Sequence, residues 1–299
     1  MNIIKNIPIP IAGLILALLS LGNLLQDIHP HVRYLFGAIG VVLIILVVIK
    51  VIQYPSDIKN DFKNPIIVSS SGTFSMSLML LSTYLSTFMP SIGYTMWIIG
   101  ISLHILLMIY FTYNFIIRNF DITTVYPSYW IVFVGITMGA ITAPTYGLEE
   151  MGFIFFMIGF IAMLVTTPVI IYRYVRHDEI PDMNKPLICI FTALFSILIV
   201  GYLNSSKTAS IEFITVLYLI ACLFYIFALY KLIEYRNLDF YPSFSAFTFP
   251  FVISAIATKG VLKTVGPNMA LSLILTFETI ISIVIVFYVL SEYMRFLKK

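Results

Sequence analysis

Two long apolar stretches joined by a short charged loop stand out in the first third of the chain. Residues 34–53 read YLFGAIGVVLIILVVIKVIQ, and residues 65–88 read PIIVSSSGTFSMSLMLLSTYLSTF. Each is long enough to cross the hydrocarbon core of a bilayer, which takes ~20 apolar residues in a helix. The first stretch is almost purely aliphatic, whereas the second begins at a proline and is dense in serine and threonine. Together they predict a helical hairpin whose two helices face different surroundings.

The composition of the whole chain is typical of a membrane protein. Of its 299 residues, 60% are hydrophobic and 10% are charged, and the mean hydropathy is +1.01. Soluble domains carry roughly 25% charged residues, so a soluble enzyme of this length is excluded. A net charge of +3 is too small to indicate nucleic-acid binding. The two isolated cysteines predict neither a metal site nor a redox site, and no cofactor is expected.

Hydropathy and loop residues divide the chain into ten predicted spans within a single transmembrane domain, residues 1–299. Prolines, glycines and charged residues mark the connections between the spans. The ten predicted spans are residues 8–26, 34–53, 66–88, 92–115, 128–146, 151–173, 187–204, 211–233, 243–260 and 268–293.

The positive charges are distributed unevenly between the two sides that this division defines. With ten spans both termini lie on one side, and thirteen of the 17 lysine and arginine residues fall there. Cytoplasmic loops are enriched in these residues. We therefore predict a multi-pass protein of the cell membrane with cytoplasmic N- and C-termini.

Prolines recur at a nearly constant interval and precede the odd-numbered spans. They are Pro10, Pro65, Pro127, Pro186 and Pro242. Proline suits the first turn of a helix, although prolines also simply mark loops. The regular interval favours a repeated helical hairpin. Five repeats that start on the same side predict a pseudo-fivefold ring of hairpins, with one helix of each hairpin inside around a central pore.

The odd-numbered spans are the better candidates for the inner positions because they are richer in small and hydroxyl residues. Such residues suit either close helix packing or a wet pore wall, and the pattern alone leaves both open. Gly135 and Gly139 also form a GxxxG motif that packing alone explains. The candidate pore-lining residues are Gly13, Ser70, Thr73, Gly135, Thr137, Gly139, Thr248 and Pro250.

Five short motifs in this order resemble a known family of membrane proteins. The chain opens with a P-x-P-x-x-G segment, and other motifs follow in the fifth, sixth, seventh and ninth spans. They are Pro8 to Gly13, Pro127-Ser128-Tyr129, Thr167-Pro168-Val169, Gly201-Tyr202-Leu203 and Ala246 to Pro250. This pattern resembles the tellurite-resistance/dicarboxylate transporter (TDT) family. The family is TehA-like and includes the plant guard-cell slow anion channels.

The resemblance implies a fold and a gate. The family forms homotrimers, and each protomer has five hairpins around a pore lined by the odd-numbered helices. A phenylalanine on the ninth helix plugs that pore, and the matching residue here is Phe249. The chain departs from the family pattern at Gly13-Leu14-Ile15-Leu16, where a glycine-aromatic run is usual. It also has Leu194 where the seventh helix usually carries a proline.

Few residues within the spans could carry chemistry, so enzymatic activity is not expected. Glu278 is the exception, because a carboxylate in the middle of a bilayer is costly and often functional. One interpretation is a site that couples transport to protons. The other is a structural carboxylate, protonated or paired with a serine, a threonine or Lys259. His29 and His31 flank a proline in a loop, and no metal site is expected there.

The sequence favours a gated channel for passive permeation of small, mainly monovalent inorganic or organic anions, occluded by Phe249. Hydroxyl groups in the pore would replace part of the hydration shell of the anion, and Lys259 and Lys263 at the external mouth would attract it. The alternative is a proton-coupled secondary transporter of C4-dicarboxylate, tellurite or sulfite. A membrane sensor or scaffold is less favoured, because no sizeable soluble domain is present to carry a signal.

Overall fold

The protein is an all-helical membrane protein. The computed structural model describes residues 3–177 and 179–298, and every regular element in that part of the chain is a helix. Eight of the described helices are long and apolar enough to cross a membrane, and Ile11–Leu25 is a shorter apolar helix. A tenth segment, residues 128–146, consists of short helical pieces.

We number these ten segments in chain order. Three short helices, Ile3–Asn6, Pro55–Asp61 and the 3-10 helix Ile122–Thr124, lie outside the set among the described residues. The segments are α1 (Ile11–Leu25), α2 (Pro30–Gln53), α3 (Pro65–Leu85), α4 (Pro90–Arg118), α5 (128–146), α6 (Glu149–Arg176), α7 (Asp182–Ser205), α8 (Ile211–Asn237), α9 (Pro242–Val265) and α10 (Met269–Lys298).

The segments form five hairpins arranged in a closed ring. Each odd-numbered segment packs against the even-numbered segment that follows it. The odd-numbered segments also pack against one another in chain order, and α9 returns to α1. The apolar windows of α3, α7 and α9 are 72%, 83% and 78% buried, against 28–39% for the five even-numbered helices. The odd-numbered segments are therefore the inner ring.

Many hydroxyl groups of the inner ring donate hydrogen bonds within the protein. In α3, Thr73 Oγ1 donates to the carbonyl of Ser70 at 2.7 Å, and Ser77 Oγ donates to the carbonyl of Thr73 at 2.7 Å. Between segments, Ser69 Oγ of α3 donates to Ser128 Oγ of α5 at 2.8 Å. Lipid offers no hydrogen-bond partners, so these internal bonds allow a polar sequence to span the membrane.

Three inner segments are not the continuous α-helices that the sequence predicted. The predicted helix 243–260 instead begins as a 3-10 helix, Pro242–Phe247, and continues as an α-helix only from Phe249. Pro250 causes this break, because it has no N–H to donate to the carbonyl four residues earlier. The predicted helix 187–204 likewise begins earlier, as a 3-10 helix at Asp182–Cys189 that contains Pro186.

The predicted helix 128–146 breaks in the middle. Its α-helical pieces are Ser128–Phe133 and Thr137–Thr142, and Gly135 lies between them. The carbonyl oxygen of Val132 lies within hydrogen-bond distance of His104 on α4, 3.1 Å from its Nε2. The imidazole takes the place of a helical N–H, so the break leaves no orphaned carbonyl at Val132. His104 is a structural residue in the wall of the ring.

Candidate functional site: a central pore

A narrow cavity of about 50 Å³ lies at the centre of the ring. All five odd-numbered segments contribute to its wall, which is mostly apolar. The lining residues include six that the sequence singled out, namely Gly13, Ser70, Thr73, Gly135, Phe249 and Pro250. Because a water molecule needs about 10–15 Å³ of such space, this cavity holds only a few water molecules.

Phe249 lies in this wall directly after the break in α9. Its side chain is only 6% exposed. The preceding residue, Thr248, donates a hydrogen bond from Oγ1 to the carbonyl of Ser245 at 2.6 Å and lies 3.4 Å from the carbonyl of Gly13. Thr248 is not among the residues that line the cavity. It joins α9 to α1 and holds the backbone that carries Phe249.

Gly13 allows α1 to approach α9 closely at this level. A Cβ atom added to Gly13 would lie 3.1 Å from both Cβ and Oγ of Ser245, which is tighter than ordinary van der Waals contact. Larger residues at position 13 would push these segments apart. The small residue at this position sets the width of the cavity where α1 and α9 meet.

The two hydroxyl residues of α3 that line the cavity are already hydrogen-bonded. Ser70 Oγ donates to the carbonyl of Ile66 at 2.8 Å, and Thr73 Oγ1 donates to the carbonyl of Ser70 at 2.7 Å. An anion in the cavity would therefore meet hydroxyl protons only after these groups rotate. In this conformation the wall offers no free hydroxyl donor from α3.

Two other predicted lining residues lie on the reverse face of α5. Thr137 is fully buried, and a Cβ atom added to Gly159 of α6 would lie 2.1 Å from its Oγ1. A Cβ atom added to Gly139 would lie 2.8 Å from the Phe155 ring of α6. Both residues allow close packing between α5 and α6, and the structure places neither of them in the cavity wall.

Several apolar lining residues were not predicted. Trp130, Leu194 and Ile197 contribute large side chains to the wall, together with Pro10 and Met76. Helical spacing could have found Met76, which lies three residues beyond Thr73 on the same helix face. Leu194 occupies the place of the proline usual in the resembling family, and Ile190–Ser205 is one uninterrupted α-helix.

A second, wider cavity of about 690 Å³ opens at the other end of the ring. We call it the vestibule. It begins about one helical turn (~5 Å) beyond the narrow cavity. For example, Ile197 lines the narrow cavity and Val200 lines the vestibule, as do Pro250 and Ile253 on α9. No described residue lines both cavities.

The charged side chains among the described residues that line the vestibule are all basic. Its lining includes the two predicted lysines, Lys259 and Lys263, and also Arg33, which the sequence analysis missed. No carboxylate is among the described lining residues. Asp27 lies nearby, with Oδ2 2.7 Å from the ammonium of Lys259. The hydrogen bond from Lys259 lowers the pKa of the Asp27 carboxyl below its usual value, so the carboxylate remains ionised at neutral pH.

Glu278 lies outside both cavities. It is 3% exposed on α10, beside Thr258 of α9, and its Oε2 has no hydrogen-bond partner among the described residues. Pairing with Lys259, one of the options that the sequence left open, does not occur, because Lys259 pairs with Asp27. The carboxylate is separated from the pore by α9.

A comparison with protein families gives a match over most of the chain. The family model described as voltage-dependent anion channel (SLAC1) matches residues 6–294, which is nearly the whole chain. A search of curated proteins gave no match.

Proposed function

The chain belongs to the voltage-dependent anion channel family, and on that basis we propose that it is a gated channel for passive permeation of small, mainly monovalent anions. Phe249 occludes the pore in this proposal. One observation carries it: five parallel hairpins place Phe249 in the wall of a narrow central cavity that all five inner segments line.

Helix orientation supports a preference for anions. Four inner α-helices begin at or near residues that line the narrow cavity: Pro10 directly precedes α1, Trp130 is in the first turn of α5, and Ile190 and Phe249 start the α-helical parts of α7 and α9. Each helix N-terminus carries roughly +0.5 elementary charge. Four of them around one cavity favour an anion without any fixed cation that would hold it too tightly to release.

The apolar wall supports selectivity by dehydration. The described residues that line the narrow cavity include no charged side chain. An anion that passes must lose much of its hydration shell and receives only partial replacement from the wall. Large, weakly hydrated monovalent anions lose the least hydration free energy, so they should permeate best.

Occlusion by Phe249 has a simple physical basis. A ring that fills an apolar constriction excludes water, and an ion without water or fixed ligands faces a large desolvation cost. Movement of this one side chain, next to a helix break, would admit water. The proposed gate therefore needs no large rearrangement of the ring.

A coupled transporter is the second candidate. The observation that favours it is the buried carboxylate of Glu278, whose Oε2 lacks a partner among the described residues. Intramembrane carboxylates are common in proton relays. The position of Glu278 behind α9 makes a direct role in the pore less favoured than passive permeation.

Flux measurements in proteoliposomes distinguish the two. Chloride, nitrate and malate uptake would be measured at a fixed membrane potential, with and without a pH gradient. A channel gives anion flux that follows the anion's own electrochemical gradient. Flux that collapses without the pH gradient would reject the channel and support the transporter.

The assembly and orientation are also part of the proposal. We infer a homotrimer in the cell membrane, with both termini in the cytoplasm. Large apolar side chains cover the even-numbered helices, for example Leu223 and Ile226 of α8, which are 68% and 65% exposed. Such faces suit contact with lipid or with neighbouring protomers. Cysteine labelling of each loop in intact cells tests the orientation, and native mass spectrometry tests the trimer.

A further inference from the structure

The vestibule lies where the inner helices end. All five inner segments run in the same direction, so their C-terminal ends converge on this cavity. Each helix C-terminus has up to four carbonyls without an intrahelical partner and carries roughly −0.5 elementary charge. Five such ends would repel an anion with roughly −2.5 charges. An anion channel with this fold has to offset that repulsion.

Two basic side chains bind these helix ends directly. The Lys259 ammonium donates to the carbonyl of Leu24 at 3.0 Å, in the last turn of α1. The Arg33 guanidinium donates from Nη2 to the carbonyl of Thr83 at 3.1 Å, in the last turn of α3. It also lies 4.3 Å from the centre of the Tyr84 ring, which helps to fix its position.

We propose that Arg33 and Lys259 set the anion selectivity of the vestibule by capping the C-terminal ends of α1 and α3. Their charges offset the dipoles of the pore helices, and Lys263 adds an ammonium that has no ion pair among the described residues. The vestibule then admits small inorganic anions and short carboxylates. Arg33 is a selectivity-determining residue, and it lies on an outer helix. This inference rests on the proposed anion channel.

The positive and negative charges at the vestibule nearly cancel. Three side-chain cations face roughly −3.5 charges, of which about −2.5 come from the helix ends and about −1 from the carboxylate of Asp27. Removal of a single cation therefore changes the balance from about −0.5 to about −1.5 charges. Since charge in a concave, low-dielectric cavity acts strongly on ions that approach it, even one substitution should reduce anion access.

The test compares vestibule variants with a matched control on the same side of the protein. Arg33→Gln, Lys259→Gln and Lys263→Gln each remove one charge from the vestibule. Lys207→Gln also removes one charge, but Lys207 is exposed and pairs with Glu150 outside the vestibule. All are measured in the Phe249→Ala background and in the otherwise unchanged protein, in planar bilayers with a salt gradient.

Anion current and the anion-to-cation permeability ratio are measured at several salt concentrations on the vestibule side. At about 10 mM salt the Debye length is about 30 Å, and each vestibule variant should lower anion current and the anion-to-cation permeability ratio by about threefold or more. At about 1 M salt, where the Debye length is about 3 Å, currents should agree with the control. Salt dependence on the other side should not change.

A conservative variant separates charge from folding. Arg33→Lys keeps the charge, so its permeability ratio should stay within about twofold of the parent, provided that it elutes as the same oligomer. Arg33→Gln that behaves like Lys207→Gln at low salt would overturn the inference. If neither the Phe249→Ala protein nor the parent passes anions, the proposed channel itself fails, and this inference fails with it.

Discussion

At the scale of single residues, Phe249 is the most important residue of the proposed function, because it is the proposed gate. It lines the narrow cavity, is 6% exposed and follows the residue that ties α9 to α1. Its neighbour Phe251 is also fully buried, but it packs against Tyr225 of α8, on the opposite side of α9 from the cavity. The two phenylalanines therefore allow the effect of a ring in the cavity wall to be compared with the effect of a ring packed between two helices.

We expect Phe249→Ala to increase anion current by about tenfold or more, because the ring that excludes water from the constriction is removed. Planar-bilayer recording in symmetrical chloride or nitrate checks this. Phe251→Ala removes a ring of the same size from the packed face, so it should lower stability and leave conductance at the parent level. Equal conductance of Phe249→Ala and parent would reject the gate.

Glu278 tests passive permeation against coupled transport. Because the carboxylate lies behind α9 and lines neither cavity, Glu278→Gln should leave anion current and its pH dependence unchanged. The measurement is proteoliposome flux at several pH values, with Glu212→Gln on the exposed start of α8 as the control. Loss of flux in Glu278→Gln alone would favour the transporter.

Sequence reasoning identified several residues that line the narrow cavity, for identifiable reasons. Gly13, Ser70, Thr73 and Phe249 lie in regular helical register with the inner face of the ring. Thr137 and Gly139 were misplaced because the break around Gly135 changes the register of the second half of α5. Arg33 was missed because its side chain reaches the vestibule from an outer helix, and nothing local in the sequence shows that contact.

At the scale of elements, the breaks in α5 and α9 define the narrow cavity. Prolines and glycines in these spans were visible in the sequence, but the position of the break in α5 was not predicted. The break in α5 depends on His104, which binds the Val132 carbonyl from α4. Such a contact between segments has no signature in the spacing of residues along one segment.

Gly135 is the most constrained residue of these breaks. A Cβ atom there would lie 2.1 Å from the carbonyl oxygen of Ile131 and 2.9 Å from the His104 ring, so the backbone itself would have to move. We expect Gly135→Ala to destabilise the protein by about 2–4 kcal/mol and to lower anion flux.

Thermal unfolding in detergent and proteoliposome flux check this expectation. Gly260→Ala is the matched control, because its added Cβ would meet only the terminal Cδ1 of Leu203, at 2.8 Å, and that flexible side chain can turn away. The control should lose less than about 1 kcal/mol. Equal melting temperatures for the two variants would contradict the constraint at Gly135.

At the scale of the whole molecule, the sequence was most informative. The constant interval between prolines predicted hairpins that all start on one side, and the structure has that ring. The contrast between hydroxyl-rich and aliphatic spans predicted which helices lie inside, as the burial of 72–83% against 28–39% shows. These features could be predicted because a helix that faces lipid and a helix that faces protein differ in composition along their whole length.

Cysteine accessibility tests the central pore most directly. In the Phe249→Ala background with Cys222→Ala, the variants Ile197→Cys on α7 and Ile226→Cys on α8 are exposed to a small anionic thiol reagent during bilayer recording. Ile197 lines the narrow cavity, and Ile226 is 65% exposed on the outer surface. A pore inside the ring predicts that modification blocks current at position 197 and not at position 226. Block at position 226 alone, or at neither position, would contradict it.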